Sequence, residues 1–143
     1  MALAYAPGMS QGMARVLAAD VPEADATLRD CLPGHELVFV RNLPQALRAL
    51  RHDSFHMILI GMHFDESRMF DLLQYVRAMP TCKDVPIICV QCLEVGLPDA
   101  VLKNIDDAVK ALGGTAFVDL REHALHFRSH CELLGRVATA IRA

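Results

Sequence analysis

Two groups of residues have the types and spacing to do chemistry. Cys89-Val90-Gln91-Cys92 spells C-x-x-C, a pattern used for metal chelation and thiol exchange. On a straight strand, residues three apart point to opposite faces, so these thiols converge only if the chain turns sharply at Gln91. The default expectation for them is small core residues. His123, His126 and His130 fall on one stripe of a closing helix, flanking its Phe127, Cys131 and Leu134 face. With an outside ligand such as His63 the stripe suits Zn²⁺ or haem, and it also suits a pH-sensitive interface. No second Cys/His cluster at ligand spacing accompanies it, so no metal or cofactor is assigned. Asp65-Glu66 reads as the cap of the third helix, where carboxylates favour the dipole. The sequence contains neither a nucleophile–base pair nor a Gly-x-Gly-x-x-Gly after the first strand, which argues against an enzyme.

Gly61 is the most informative single residue. The apolar run Met57-Ile58-Leu59-Ile60 reads as a buried strand, and Gly61, without a side chain, stands at its carboxyl end. In open parallel α/β sheets that end of a central strand is where ligands and chemistry sit. A module that binds rather than reacts is the expectation.

The elements around these residues follow from pattern. Arg15 to Asp20, Glu36 to Val40, Met57 to Met62, Val85 to Gln91 and Thr115 to Leu120 read as strands, rich in β-formers. Between them run helical periods. Pro22 opens the first, with Ala24, Leu28, Cys31 and Leu32 on one face. Asn42 caps the second, and Met69, Leu72, Leu73 and Val76 mark the third. Val101, Leu102, Ile105, Ala108, Val109 and Leu112 form the cleanest stripe, on the fourth. Glu122 to Arg142 closes the chain, with Phe127, Cys131, Leu134, Ala138 and Ile141 inward. Strict alternation of strand and helix demands a parallel sheet covered on both faces, because crossovers are right-handed.

Composition sets the bounds. The chain has 143 residues, enough for one domain, and 53% of them are hydrophobic, enough for a core. The formal net charge of -3 comes from mixed signs without a basic stripe, which disfavours nucleic acid as a partner. No apolar run approaches the roughly 20 residues of a membrane span, and no signal peptide is visible, so no membrane partner is expected. Five cysteines, an odd number without scaffold spacing, point to a reduced cytoplasmic protein. Residues 1–13, with Pro7, Gly8 and Gly12, read as a flexible tail preceding a domain at 14–143.

From Arg15 onward the order and spacing resemble the receiver domain of bacterial response regulators. The carrying pieces are Arg15-Val16-Leu17-Ala18-Ala19-Asp20, Met57 through Asp71-Leu72-Leu73 to Val76-Arg77-Ala78-Met79-Pro80, Asp84-Val85-Pro86-Ile87-Ile88, and Gly113-Gly114-Thr115-Ala116-Phe117. The resemblance implies a flavodoxin-like five-stranded sheet in the order 2-1-3-4-5. Active receivers take a phosphoryl group on an aspartate ending the third strand. Two acidic residues after the first strand hold Mg²⁺, with a Ser/Thr ending the fourth strand and a Lys ending the fifth. Here Asp20 matches the first acidic place and Val21 the second, Gly61 the acceptor, Gln91 the Ser/Thr and Leu120 the Lys. A lone carboxylate is a poor Mg²⁺ site, and Leu120 brings no cation to a phosphate. Phe117 matches the family's rotating aromatic, but reads as a packed strand residue. The segment from Leu93 to Asp99 is longer than usual in the family, either a reshaped loop or a longer helix lead-in.

The resemblance therefore implies a phosphorylation-independent pseudo-receiver, a protein-interaction or regulatory module bound to a partner or to a second copy through helix 4, strand 5 and helix 5. Lys103, Asp107, Lys110, Arg121, His126 and Arg128 are the expected surface residues. Asp106-Asp107 with Lys103 and Lys110 reads as a solvated face with ion pairs. The alternative is a small-ligand, metal or haem sensor using the vacated pocket or the histidine stripe.

Overall fold

The computed structural model describes residues 13–140. Five parallel strands, β1 (Arg15–Ala19), β2 (Glu36–Val40), β3 (Met57–Gly61), β4 (Ile87–Gln91) and β5 (Ala116–Asp119), form one sheet in the order β2-β1-β3-β4-β5. This is the flavodoxin-like topology expected from the sequence. Five α-helices alternate with the strands: α1 (Asp25–Cys31), α2 (Leu43–His52), α3 (Met69–Arg77), α4 (Asp99–Ala111) and α5 (Phe127–Ala140). The register Val16↔Met57 through Ala19↔Ile60, continued by Gly61↔Val90, aligns the carboxyl ends of β1, β3 and β4.

Side-chain alternation divides the core in two. Leu17, Ala19, Ile58, Ile60, Ile87, Cys89 and Phe117 face the layer of α2, α3 and α4. Val16, Ala18, Met57, Leu59, Ile88, Val90, Val118 and Leu120 face α1 and α5. Central parallel strands are buried on both sides, which is why β3 and β4 read as continuous apolar runs. Cys89 and Cys92 lean into opposite clusters, as their spacing requires.

Local chemistry sets the element ends. Pro22–Ala24 forms a 3-10 turn that leads into α1. Asn42 Oδ1 accepts the N–H of Gln45 at 2.9 Å, the expected cap of α2. Gly113 takes φ +96° after α4, a conformation that suits a residue without Cβ.

Four expectations are corrected. Asp65 does not cap the third helix. Its carboxylate accepts the N–H of Leu43 at 2.8 Å, at the start of α2. Phe64 is fully buried, and the left-handed run Asp65, Glu66 and Ser67 (φ 44°, 58° and 69°) carries the chain over it, swinging Asp65 toward α2. The last helix starts at Phe127, not Glu122, because Asp119 accepts the Arg121 N–H at 3.1 Å and holds the following residues in turns. The stripe of α4 is only partly covered. Val109 is buried and Leu102 and Ile105 half-buried, while Val101 and Leu112 are exposed, since α4 lies over the edge strand β5. Finally, Cys31 and Cys131 are not free thiols: they form a disulfide between α1 and α5, with Cα atoms 4.8 Å apart. The two helices cover the same face, so residues 100 positions apart in sequence become neighbours. Ile141, Arg142 and the expected tail, apart from Met13, lie outside the described residues.

Candidate functional site

At the carboxyl end of the sheet, β1 ends beside Asp20 and β3 ends at Gly61. The Asp20 N–H donates to the carbonyl of Val40 at 3.3 Å, which continues the ladder to β2. Its side chain turns inward, where Oδ1 accepts the N–H of Val21 at 2.8 Å. A Cβ added to Gly61 would run into Cγ, Oδ1 and Oδ2 of Asp20. The Asp20 carboxyl thus occupies the space that a side chain at position 61 would need.

Asp20 is 3% exposed, and burial pushes its pKa from 3.8 up to about 7, against the Val21 hydrogen bond and the distant pull of Arg41. Arg41 does not pair with this carboxylate. Its guanidinium grips Asp25 with two hydrogen bonds, at 2.9 and 2.6 Å, and donates to the Asp20 carbonyl at 3.2 Å. The acidic group is therefore buried with its nearest cation engaged elsewhere, and the carboxylates of Asp25 and Glu23 add to the upward shift.

Gln91 ends β4, and Leu120 follows β5, its N–H donating to the Gln91 carbonyl at 2.8 Å. Gln91 is fully buried and its Nε2 donates to the carbonyl of Leu93 at 2.8 Å, while Oε1 accepts no hydrogen bond. Arg121 Nη1 donates to the Val95 carbonyl at 3.2 Å. Together these bonds fold the segment from Leu93 over the ends of β4 and β5, a reshaped loop. Leu120 is fully buried in the apolar layer with Val118, Leu134 and Ala138. Val21 is half-buried against the same layer. Burial raises the thiol pKa of Cys89 to about 12, and burial, then Asp20 and Asp119, raises that of Cys92. Neither thiol is an activated nucleophile.

The second region is the face formed by α4, β5 and α5. A cleft of about 520 Å³ opens there between Leu102, Phe117, Asp119, Leu125 and His126. Leu125 is 90% exposed at its rim. Lys103 pairs with Asp107 at 3.4 Å and Lys110 with Asp106 at 2.9 Å, as expected of that helix face. Asp106 also accepts the N–H of Phe117 at 2.9 Å. Burial raises the Asp106 carboxyl pKa, but the Phe117 N–H and Lys110 outweigh it and hold it below its ordinary value. Asp119 behaves likewise: burial raises it and the hydrogen bonds from Arg121 bring it below.

Of the six expected surface residues, Lys103, Asp107, Lys110, His126 and Arg128 are exposed. Arg121 is not, with a side chain only 19% exposed and locked to Asp119 at 2.6 Å. The histidine stripe is dispersed. His123 and His126 precede α5, His126 and His130 rings are 5.9 Å apart, and His130 Nδ1 lies 2.8 Å from the Asp119 carbonyl. Among the described residues no three His, Cys, Asp or Glu side chains are grouped to hold a metal. Phe117 is a buried strand aromatic. The Cys31–Cys131 bridge gave no local signal, since pairing across two helices depends on the fold and not on spacing.

No protein-family model matches the sequence, and no curated protein matches it. Solved structures do share its fold. The phosphorylated cyanobacterial phytochrome response regulator RcpA superposes with a TM-score of 0.70, at 14% identity over 88% of this chain and 94% of that one. A response regulator from Hahella chejuensis gives 0.69 at 20% identity, covering 90% and 97%. The chemotaxis response regulator CheY4 of Vibrio cholerae gives 0.63 at 22% identity, covering 87% and 98%. At such identities the likeness is one of fold.

Proposed function

We propose that this chain is a receiver-like signalling module that has lost phosphoryl transfer and acts by binding, as a phosphorylation-independent pseudo-receiver in bacterial signalling. The observation that carries this is the Asp20 carboxyl seated on Gly61. A phosphoacceptor at that place needs a side chain, a metal-binding carboxylate beside it and space for a phosphoryl group. Here the carboxylate itself fills the space, and Leu120 is committed to the core. Support for a non-enzymatic role comes from the nearby thiols of Cys89 and Cys92, whose raised pKa values leave them protonated.

The exposed rim of Lys103, Asp107, Lys110, His126 and Arg128, with Leu125 beside it, is the proposed contact surface for a protein partner or a second copy. Arg121 lines the cleft beside that rim, paired with Asp119. A cytoplasmic location belongs to the same proposal. Incubation with acetyl phosphate and Mg²⁺, followed by intact-mass measurement, tests the reading. No phosphoryl increment is expected, and a stable covalent phosphate would overturn it.

A further inference from the structure

We propose that the Cys31–Cys131 bridge is a redox-addressable site whose thiol exchange governs how firmly the first half of α5 is docked. The proposal rests on the geometry of α1 and α5 alone, independently of the partner-binding function.

The apolar hold on the first half of α5 is partial. Of its described residues only Leu134 and Ala138 are fully buried, and both lie in its second half. Ahead of them Phe127, His130, Cys131 and Leu133 are half-buried, with His130 Nδ1 2.8 Å from the Asp119 carbonyl, while Arg128, Ser129 and Glu132 are exposed. Gly135, adjacent to the Cys31 carbonyl, further lowers the helix's intrinsic stability. The covalent link at Cys131 thus anchors the first two turns together with Leu133 and the His130–Asp119 contact.

The bridge is also accessible. A cleft of about 410 Å³ opens onto both half-cystines, between Pro33 of the α1–β2 turn and Phe127 of α5. Cys131 is the half-buried residue of the pair and Cys31 the buried one. A thiolate of a dithiol reductant attacks Cys131 Sγ. The S–S bond breaks, its electron pair goes to Cys31 Sγ, and that sulfur takes a proton. The second thiol of the reductant resolves the mixed disulfide, releasing the Cys131 thiol and the oxidised reductant. A disulfide oxidant of the same class runs the sequence backwards. In a reducing compartment such bridges are transient and regulatory, whereas in an oxidising one they persist.

Hydrogen exchange of the full chain, read by mass spectrometry with and without dithiothreitol, tests this. In the reduced protein, amides of residues 127–134 should exchange at least about ten-fold faster while β3 and β4 keep their protection. Reoxidation should restore the slow rate, and Cys31→Ser or Cys131→Ser should match the reduced protein under both conditions. Three outcomes would overturn the proposal. One is unchanged exchange over 127–134, a second is an equal rise in β3 and β4, and the third is alkylation of all five cysteines in the air-oxidised protein.

Discussion

Asp20 and Gly61 share one volume of space, and neither tolerates a change that ignores the other. Gly61→Ala places a methyl group against the Asp20 carboxyl. Overpacking of this kind costs about 1–3 kcal/mol. Asp20→Ala removes the obstacle, so the double variant should lose less stability than the sum of the single ones. Urea denaturation of the four proteins measures this, and simple additivity would show that the two positions are not coupled. The absence of a side chain at 61 was legible in the sequence. What fills its place was not, because the Asp20 rotamer is set by the Val21 N–H and the close register of β1 and β3.

At the scale of elements, one arginine ties three segments. Arg77 closes α3 and donates Nε to the Gly113 carbonyl at 2.8 Å. Its Nη1 donates to the carbonyls of Cys82 and Lys83, each at 2.9 Å. Arg77→Ala leaves these carbonyls to solvent or unpaired and should cost about 1–3 kcal/mol in chemical denaturation. An unchanged midpoint would mean that water replaces the arginine fully. Elements themselves were largely readable, since β3 and α3 follow directly from apolar period. The errors fell where side chains compete with the backbone. Asp119 delays α5, and Asp65 serves a helix that precedes it in the chain. Such contacts depend on which elements become neighbours, which local pattern does not encode.

Across the whole molecule, titration of a few groups sets the pH of greatest stability. Asp20 holds its proton more tightly when folded, its pKa being raised from 3.8 to about 7. Its stabilising effect is fully present below 3.8 and is lost as pH rises through about 7, a change on the order of 2–4 kcal/mol. His35 acts oppositely. Burial lowers its pKa from 6.5, and its Nδ1 accepts the N–H of Ala14, so its contribution is present above 6.5 and lost as pH falls. Asp106 and Asp119, both held below the ordinary carboxylate value, lose theirs in stronger acid. The melting temperature should therefore be higher at about pH 5 than at about pH 8. Asp20→Asn should remove that difference by raising stability on the alkaline side. A wild-type profile flat from pH 4 to about pH 8 would contradict it.

Strand β5 is an edge of the sheet, where unpaired amides invite another chain to add itself. The Asp106 carboxylate already occupies the amide of Phe117, and its own helix α4 lies across that border. Asp106 thereby takes one of the amides that an added strand on this side would use. A visitor that adds itself at this edge has to displace that carboxylate first.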